Sequence, residues 1–127
     1  MITEGIVAFC NLAETEFYNG KDTGKYNITL TLDEADASVL REEGVHVKDY
    51  EDKDGNIHKQ RKFSSKYPID VLDLDDNVVS KHIPYGSKVR VKWKIGNPHP
   101  QWGTSTYLEK VRILELSERT NTDDEPF

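Results

Sequence analysis

Two stretches of the chain alternate regularly between apolar and polar residues, the pattern of a β-strand with one buried face. Residues 86–95 place apolar side chains at Val89, Val91, Trp93 and Ile95. The positions between them are all cationic: Lys88, Arg90, Lys92 and Lys94. Residues 25–32 alternate in the same way, with Tyr26, Ile28, Leu30 and Leu32 on the apolar side. Both stretches are predicted strands, and the first has a cationic face that is either solvated or matched to an anionic partner.

The elements around these strands are less regular. Residues 6–12 are apolar enough for a first strand, but their alternation is blurred, which is typical of a strand that bends. Asp33 is a good helix N-cap, and Gly44 suits the position after a helix end, so a short helix is predicted over 34–43. The charged segment 45–62 contains an Asp54–Gly55 pair, which favours an exposed hairpin or a mobile loop.

Two further strands are predicted towards the C-terminus. In residues 63–74, Phe63, Tyr67, Ile69 and Val71 share one parity, and Pro68 indicates an edge or a bulge because it cannot donate a ladder hydrogen bond. Residues 106–116 fit no single parity, which predicts a bulge. Five or six strands, one helix and no βαβ rhythm indicate an all-β protein. We predict an OB-fold, a five-stranded Greek-key barrel, with one short α-helix.

The chain divides by composition into a folded part and a tail. We expect one domain over residues 1–116. Residues 117–127 have no periodicity and side chains that sum to -3, so we expect a disordered acidic tail. Half of the formal net charge of -6 therefore lies outside the predicted barrel.

Composition favours a soluble protein of a reducing compartment. The chain has 127 residues and one cysteine, Cys10, so no internal disulfide can form. No apolar run approaches the ~20 residues that span a bilayer, and the N-terminus lacks the pattern of a signal peptide. We expect a cytoplasmic protein without membrane association.

Catalytic and metal-binding functions have little support in the sequence. Residues 52–56 resemble a calcium loop, but Ile57 stands where that pattern requires glycine. The four histidines have no paired metal-ligand spacing, and Cys10 has no second cysteine. No paired carboxylates or phosphate-binding glycine loop are recognisable. We therefore expect no enzyme activity, no metal and no cofactor.

Binding of a single nucleic-acid strand fits the sequence better, because such sites combine cations that contact phosphates with aromatic rings that stack on bases. The cationic candidates are Lys88, Arg90, Lys92, Lys94, Lys59, Arg61, Lys62 and Lys66. The other candidates are Trp102, Phe63, Tyr67, Phe9, His99 and Tyr107. Trp93 shares its face with valines and is predicted to be core, whereas Trp102 lies in a Gly/Pro-rich loop and is predicted to stack. If the cations at the even positions of 86–95 lie on the outer convex face of the barrel, they serve only to attract an anionic strand at long range.

The order of these segments resembles that of the single-stranded-DNA-binding proteins of short-tailed bacteriophages. The similarity is carried by residues 86–93, the 98–102 loop, the closing strand 108–116 and the acidic tail that ends in Phe127. Residues 8–12 and 24–29 resemble the start of the same family. Trp102 falls at the aromatic loop of the family, and His99 stands where a tyrosine is typical.

The resemblance implies an OB-fold that coats single-stranded DNA in phage replication and recombination, in the host cytoplasm. It also implies that the tail contacts replication proteins, such as the DNA polymerase or helicase, or shields the groove when DNA is absent. The tail residues concerned are Asp123, Asp124, Glu125 and Phe127. The alternatives are a β-barrel protein-interaction or virion structural module that does not bind nucleic acid, and an RNA-binding barrel.

Overall fold

The computed structural model describes residues 1–99 and 103–116, except for the side chains of Tyr18 and His99. One helix, α1 (Glu34–Glu42), accompanies nine strands in this part of the chain. The strands are β1 (Ile2–Asn11), β2 (Phe17–Tyr18), β3 (Lys21–Asp22), β4 (Tyr26–Leu32), β5 (Lys48–Glu51), β6 (Ile57–Ser65), β7 (Val71–Leu72), β8 (Lys88–His99) and β9 (Gly103–Glu115). No helix of this part is long and apolar enough to cross a membrane.

Five of the strands close into a barrel in the order β1-β4-β6-β9-β8. All neighbouring pairs are antiparallel except β6 and β9, which meet in parallel where Ser64 lies opposite Tyr107. The predicted OB-fold is therefore confirmed. In this order, β8 lies across the barrel from the β4–β6 pair, because β1 and β9 stand between them.

Strand β1 bends so that it pairs with two partners. Its first half pairs with β8, from Ile2 opposite Lys92 to Ile6 opposite Lys88, and its second half pairs with β4. A bulge between Val7 and Phe9 buries both Val7 and Ala8, and it leaves Phe9 on the outside. This bulge explains the blurred alternation of the sequence.

The aromatic centre of the core is Trp93, which is fully buried as predicted. Its ring lies 5.7 Å, centroid to centroid, from that of Phe63, which is also fully buried. The indole Nε1–H donates a 2.8 Å hydrogen bond to the Thr3 hydroxyl. The core therefore joins β1, β6 and β8, and its one polar indole group is satisfied.

The helix begins as the sequence predicts. Asp33 is the N-cap, and its carboxylate accepts a 2.8 Å hydrogen bond from the Asp36 amide. Ala37 and Leu40 are buried in the core, and Gly44 ends the segment at φ +80. The helix leads into residues 45–47, which lie beside β6, because the His46 carbonyl accepts a hydrogen bond from Arg61 of that strand.

Of three other predictions, two are confirmed and one is wrong. The Asp54–Gly55 pair does form the turn of a hairpin, between β5 and β6. The bulge predicted in the last strand is present in the β8–β9 register. The strand predicted over 63–74 is wrong, because β6 ends at Ser65 and only Val71–Leu72 resumes pairing. Pro68, which cannot donate to a ladder, lies in this gap.

Candidate nucleic-acid interface

Two adjoining depressions run along the outer wall of the barrel beside β6. The first has a volume of about 470 Å³ and lies among β1, β4, β6 and the segment that follows α1. Its lining includes Phe9, Glu16, Lys48, Arg61 and Lys62. The second has a volume of about 300 Å³ and extends towards β9. Its lining includes Lys25, Lys66, Thr106 and Tyr107, and it shares Arg61 and Lys62 with the first.

Because the two depressions share Arg61 and Lys62, they form one continuous channel, which we call the β6 groove. Its described lining holds five cations: Lys25, Lys48, Arg61, Lys62 and Lys66. It holds one carboxylate, that of Glu16. In a chain of formal net charge -6, this groove is a local concentration of positive charge that would attract an anionic ligand.

Arg61 lies at the junction of the two depressions and is held there by three hydrogen bonds. Its Nε and Nη2 donate to the Thr106 hydroxyl at 3.3 and 2.9 Å, and its Nη1 donates to the His46 carbonyl at 3.1 Å. Partial burial lowers the pKa of the guanidinium, which nevertheless stays charged. A fixed and partly desolvated cation interacts with an anion more strongly than a mobile surface lysine does.

Lys62 is the one groove cation with a carboxylate partner in the described part of the chain. Its Nζ lies 3.0 and 3.1 Å from the two carboxylate oxygens of Glu16. The Glu16 backbone is itself fixed, since its N–H donates to the Lys25 carbonyl and its carbonyl accepts from Thr23. The Glu16 carboxylate therefore occupies the place beside Lys62 that a ligand phosphate would take.

We expect the substitution Glu16→Gln to strengthen binding of single-stranded nucleic acid, because it leaves Lys62 available to a phosphate. One added phosphate contact corresponds to a salt slope steeper by about 0.7, or about fivefold in affinity at about 0.1 M salt. The matched control is Glu14→Gln, which removes the same charge from an exposed side chain outside the groove. Equal affinities of the two variants would contradict the assignment of Glu16.

Two aromatic side chains line the groove, one at each end. Phe9, in β1, is 64% exposed and borders the larger depression. Tyr107, in β9, is 50% exposed and borders the smaller one. Gly96 makes room for the Tyr107 ring, because a Cβ at position 96 would lie only 2.4 Å from Cε2 of that ring. Both rings offer an open face to a base.

Apart from the cations of β8, three residues predicted from the sequence as contact residues do not line the β6 groove. Phe63 is fully buried against Trp93, so its ring cannot reach a ligand, and its assignment as a contact residue is corrected. Tyr67 is 76% exposed but lines neither depression. Lys59 points its ammonium at the carboxylates of Glu34 and Asp49, each at 3.5 Å, and also lies outside the groove.

The four cations of β8 are on the outer wall of the barrel. Val89, Val91 and Trp93 face inwards, so the alternate side chains Lys88, Arg90, Lys92 and Lys94 face outwards. Because β8 lies across the barrel from β4 and β6, this row is separate from the β6 groove.

Several sequence predictions fall outside the described residues. Trp102 and the tail residues Asp123, Asp124, Glu125 and Phe127 are among them, as is the side chain of His99.

The sequence analysis missed three charged residues of the groove. Lys25 is the first residue of the predicted strand 25–32, Lys48 has acidic neighbours in the charged segment 45–62, and Glu16 precedes a short turn segment. These positions are distant in the sequence, so only the barrel closure brings them together. Among the described residues, no group of three or more His, Cys, Asp and Glu side chains is placed to hold a metal ion.

The fold and this groove are those of an OB-type barrel with a cationic, aromatic-lined face. Comparisons of the sequence with protein-family models and with curated protein sequences find no match. Structural comparison finds a single-stranded DNA-binding protein from bacteriophage Enc34 in complex with ssDNA, at a TM-score of 0.64 and 16% identity. That match covers 98% of this chain and 86% of the phage protein.

A second similar structure is gp2.5, a single-stranded DNA-binding protein encoded by bacteriophage T7. The TM-score is 0.54 at 16% identity, and the match covers 92% of each chain. A C-terminally truncated form of the Enc34 protein gives 0.59 at 17% identity. The chain thus shares its fold over nearly its whole length with phage single-stranded DNA-binding proteins.

Proposed function

We propose that the protein binds single-stranded DNA through the β6 groove, largely independently of base sequence. The observation that carries this proposal is the union of five cations and two exposed aromatic rings in one continuous channel. Cations at this density contact successive phosphates, and rings such as Phe9 and Tyr107 stack on bases, with about 1–3 kcal/mol for each base. The similar structures of two phage proteins that bind single-stranded DNA support the same ligand.

A single strand fits the groove better than a duplex does. In a duplex the bases are already stacked and paired, so their faces are not available to Phe9 or Tyr107. Stacking does not depend on the identity of the base, which favours binding without sequence preference. Phosphate contacts release counterions, so affinity should fall steeply as the salt concentration rises.

The first test is quenching of tryptophan fluorescence by an oligodeoxythymidine of about 20–30 nucleotides, beyond the ~4–16 nucleotides that an OB-fold covers. The chain has two tryptophans. Trp93 is fully buried, so we expect any quenching by stacked bases to come from Trp102. Trp93→Phe should keep the quenching, whereas Trp102→Phe should lose it.

The outcome of that titration distinguishes two functions. Saturable quenching that is reversed by salt would support stacking and phosphate contacts together. A wild-type protein that shows neither quenching nor a mobility shift would contradict the proposal and favour the protein-interaction module instead. Quenching that persists in Trp102→Phe would contradict the assignment of Trp102 but not DNA binding.

We further propose that the protein coats single-stranded DNA during phage replication and recombination, in the cytoplasm of the host cell, and that it is not an enzyme. The acidic tail would contact replication proteins, such as the DNA polymerase or helicase, or shield the groove. The charges support shielding of the groove by the tail. The side chains of residues 117–127 sum to -3 and are complementary to the cations of the groove. Deletion of 117–127 should therefore raise affinity for DNA at low salt.

A further inference from the structure

A second cluster of cations lies on the outer wall formed by β8 and β9. The register of the two strands places Arg90 opposite Arg112, and Lys92 opposite Lys110. We call these four residues the β8–β9 ladder. Like charges that lie directly opposite each other destabilise an antiparallel pair, so the opposed Lys92 and Lys110 weaken the pairing of β8 with β9 unless an anion neutralises them.

The two arginines of the ladder have carboxylate partners, whereas its two lysines do not. Arg90 donates from Nε and Nη2 to the Glu4 carboxylate at 3.0 and 2.8 Å. Arg112 donates to the Asp73 carbonyl at 2.8 Å and pairs with the carboxylate of Asp76. Lys92 and Lys110 have no ion-pair partner within residues 1–99 and 103–116. A pair of oriented guanidinium groups thus lies next to a pair of ammonium groups that are available to a ligand.

A shallow depression of about 190 Å³ lies among these cations. Ile2 and Leu72 contribute apolar atoms to its lining, and the four ladder residues contribute the charge. The depression is much smaller than the β6 groove, so it suits a phosphate and its sugar rather than a stacked base. It is also a separate site, because none of its lining residues lines the β6 groove.

We propose that the β8–β9 ladder binds the phosphates of a second segment of single-stranded nucleic acid. Each barrel then contacts nucleic acid at two separate surfaces, the β6 groove and the ladder. This inference rests on the proposed function for its ligand class, but its site shares no residue with the groove.

The geometry favours a nucleic-acid backbone over an acidic peptide. The cations form rows along the strands with a repeat of about 6.6–6.8 Å for every two residues. Lys94 continues the row of β8 beyond Lys92, whereas Lys88, at the other end, lies opposite Glu115. A linear, evenly charged polymer matches such a row along its length. A peptide could not add as a strand here, because β8 is already paired on both sides by β1 and β9.

The test is the number of short oligonucleotides bound by each chain. We would titrate the full chain at low salt by calorimetry with an oligodeoxythymidine of about eight nucleotides, within the ~4–16 nucleotides that one OB-fold covers. We expect wild type to bind two oligonucleotides per chain. The variant Lys92→Gln/Lys110→Gln should bind one oligonucleotide over the concentration range in which wild type binds two. Its second affinity should fall about 25-fold at about 0.1 M salt and further at lower salt, since two phosphate contacts correspond to about 1.4 in the salt slope.

The control is Lys53→Gln/Lys81→Gln, which removes two positive charges from outside both surfaces and should still bind two. The ladder variant should unfold at the same temperature as wild type or a higher one, because a pair of opposed like charges has been removed. Loss of the second oligonucleotide cannot then be attributed to misfolding.

Three results would overturn the inference. One is a stoichiometry and affinity of the ladder variant equal to those of the control. Another is a single oligonucleotide per wild-type chain, bound in the β6 groove, which leaves the proposed function standing. The third is binding of a poly-glutamate peptide that is lost in the ladder variant while oligonucleotide stoichiometry stays unchanged, which would assign the ladder to acidic peptides. Absence of any oligonucleotide binding would instead refute the proposed function itself.

Discussion

Replacing Lys48 and Lys66 with glutamine is expected to weaken binding of single-stranded oligodeoxythymidine about 25-fold at about 0.1 M salt. The two lysines line different depressions of the β6 groove, so a strand that follows the groove contacts both. Each phosphate contact adds about 0.7 to the salt slope, so the slope should fall by about 1.4. Fluorescence anisotropy over a range of salt concentrations measures both quantities.

This pair of lysines gives a clean test because neither makes an ion pair in the described part of the chain. Their neutralisation therefore breaks no described contact of this kind. Lys53→Gln/Lys81→Gln has the same change in net charge and lines neither depression, so it reports the effect of overall charge alone. If both double variants lose affinity equally, binding follows net charge, and the groove is not the site.

The sequence predicted the fold well where strands alternate strictly. In β8 the alternation holds from Lys88 to Lys94, with Val89, Val91 and Trp93 inside and the cations outside. It fails at Ile95, which the sequence places on the apolar face but which is 39% exposed. The capping pattern around Asp33 also specified the helix to within one residue. Strand alternation and helix capping depend on neighbours in the sequence, so they can be recognised from the sequence alone.

The sequence was less informative where tertiary pairing overrides parity. Phe63 and Tyr67 share a parity, yet the first is fully buried and the second is 76% exposed, because β6 ends at Ser65. The bulge at Ala8 similarly turns Phe9 outwards. The patterns of residues 6–12 and 106–116 indicate an irregular strand, but which side chains a bulge turns outwards, and where a strand ends, depend on partners distant in the chain.

The candidate site was predicted only in part for the same reason. Arg61, Lys62, Lys66, Phe9 and Tyr107 were recognised as candidates because cations and aromatic rings cluster near them in the sequence. Their convergence in one groove follows from the parallel meeting of β6 and β9 and from the bend of β1. That closure also separates the groove from the cations of β8, which the sequence could not do.

Two phenylalanines provide the second large effect, because one is core and the other lies in the groove. Phe63→Ala should lower the free energy of unfolding by about 3–5 kcal/mol, the usual cost of removing a buried aromatic ring. This is a large share of the ~5–15 kcal/mol by which such domains are stable. Phe9→Ala removes a ring that is 64% exposed, so its stability should change by about 0.5 kcal/mol or less. Urea unfolding followed by circular dichroism measures both values.

In DNA binding, by contrast, position 9 should matter and position 63 should not. Phe9→Ala loses one stacked base and should weaken oligodeoxythymidine binding by about 1–3 kcal/mol, which is about 5- to 150-fold. Phe63→Leu keeps most of the buried volume and should bind like wild type, since the side chain at this position does not reach the groove. If Phe63→Leu weakens binding while its unfolding is unchanged, the ring contacts DNA and the core assignment fails. If Phe9→Ala binds like wild type, the strand does not stack at the β1 end of the groove, and contact with phosphates alone would have to account for binding there.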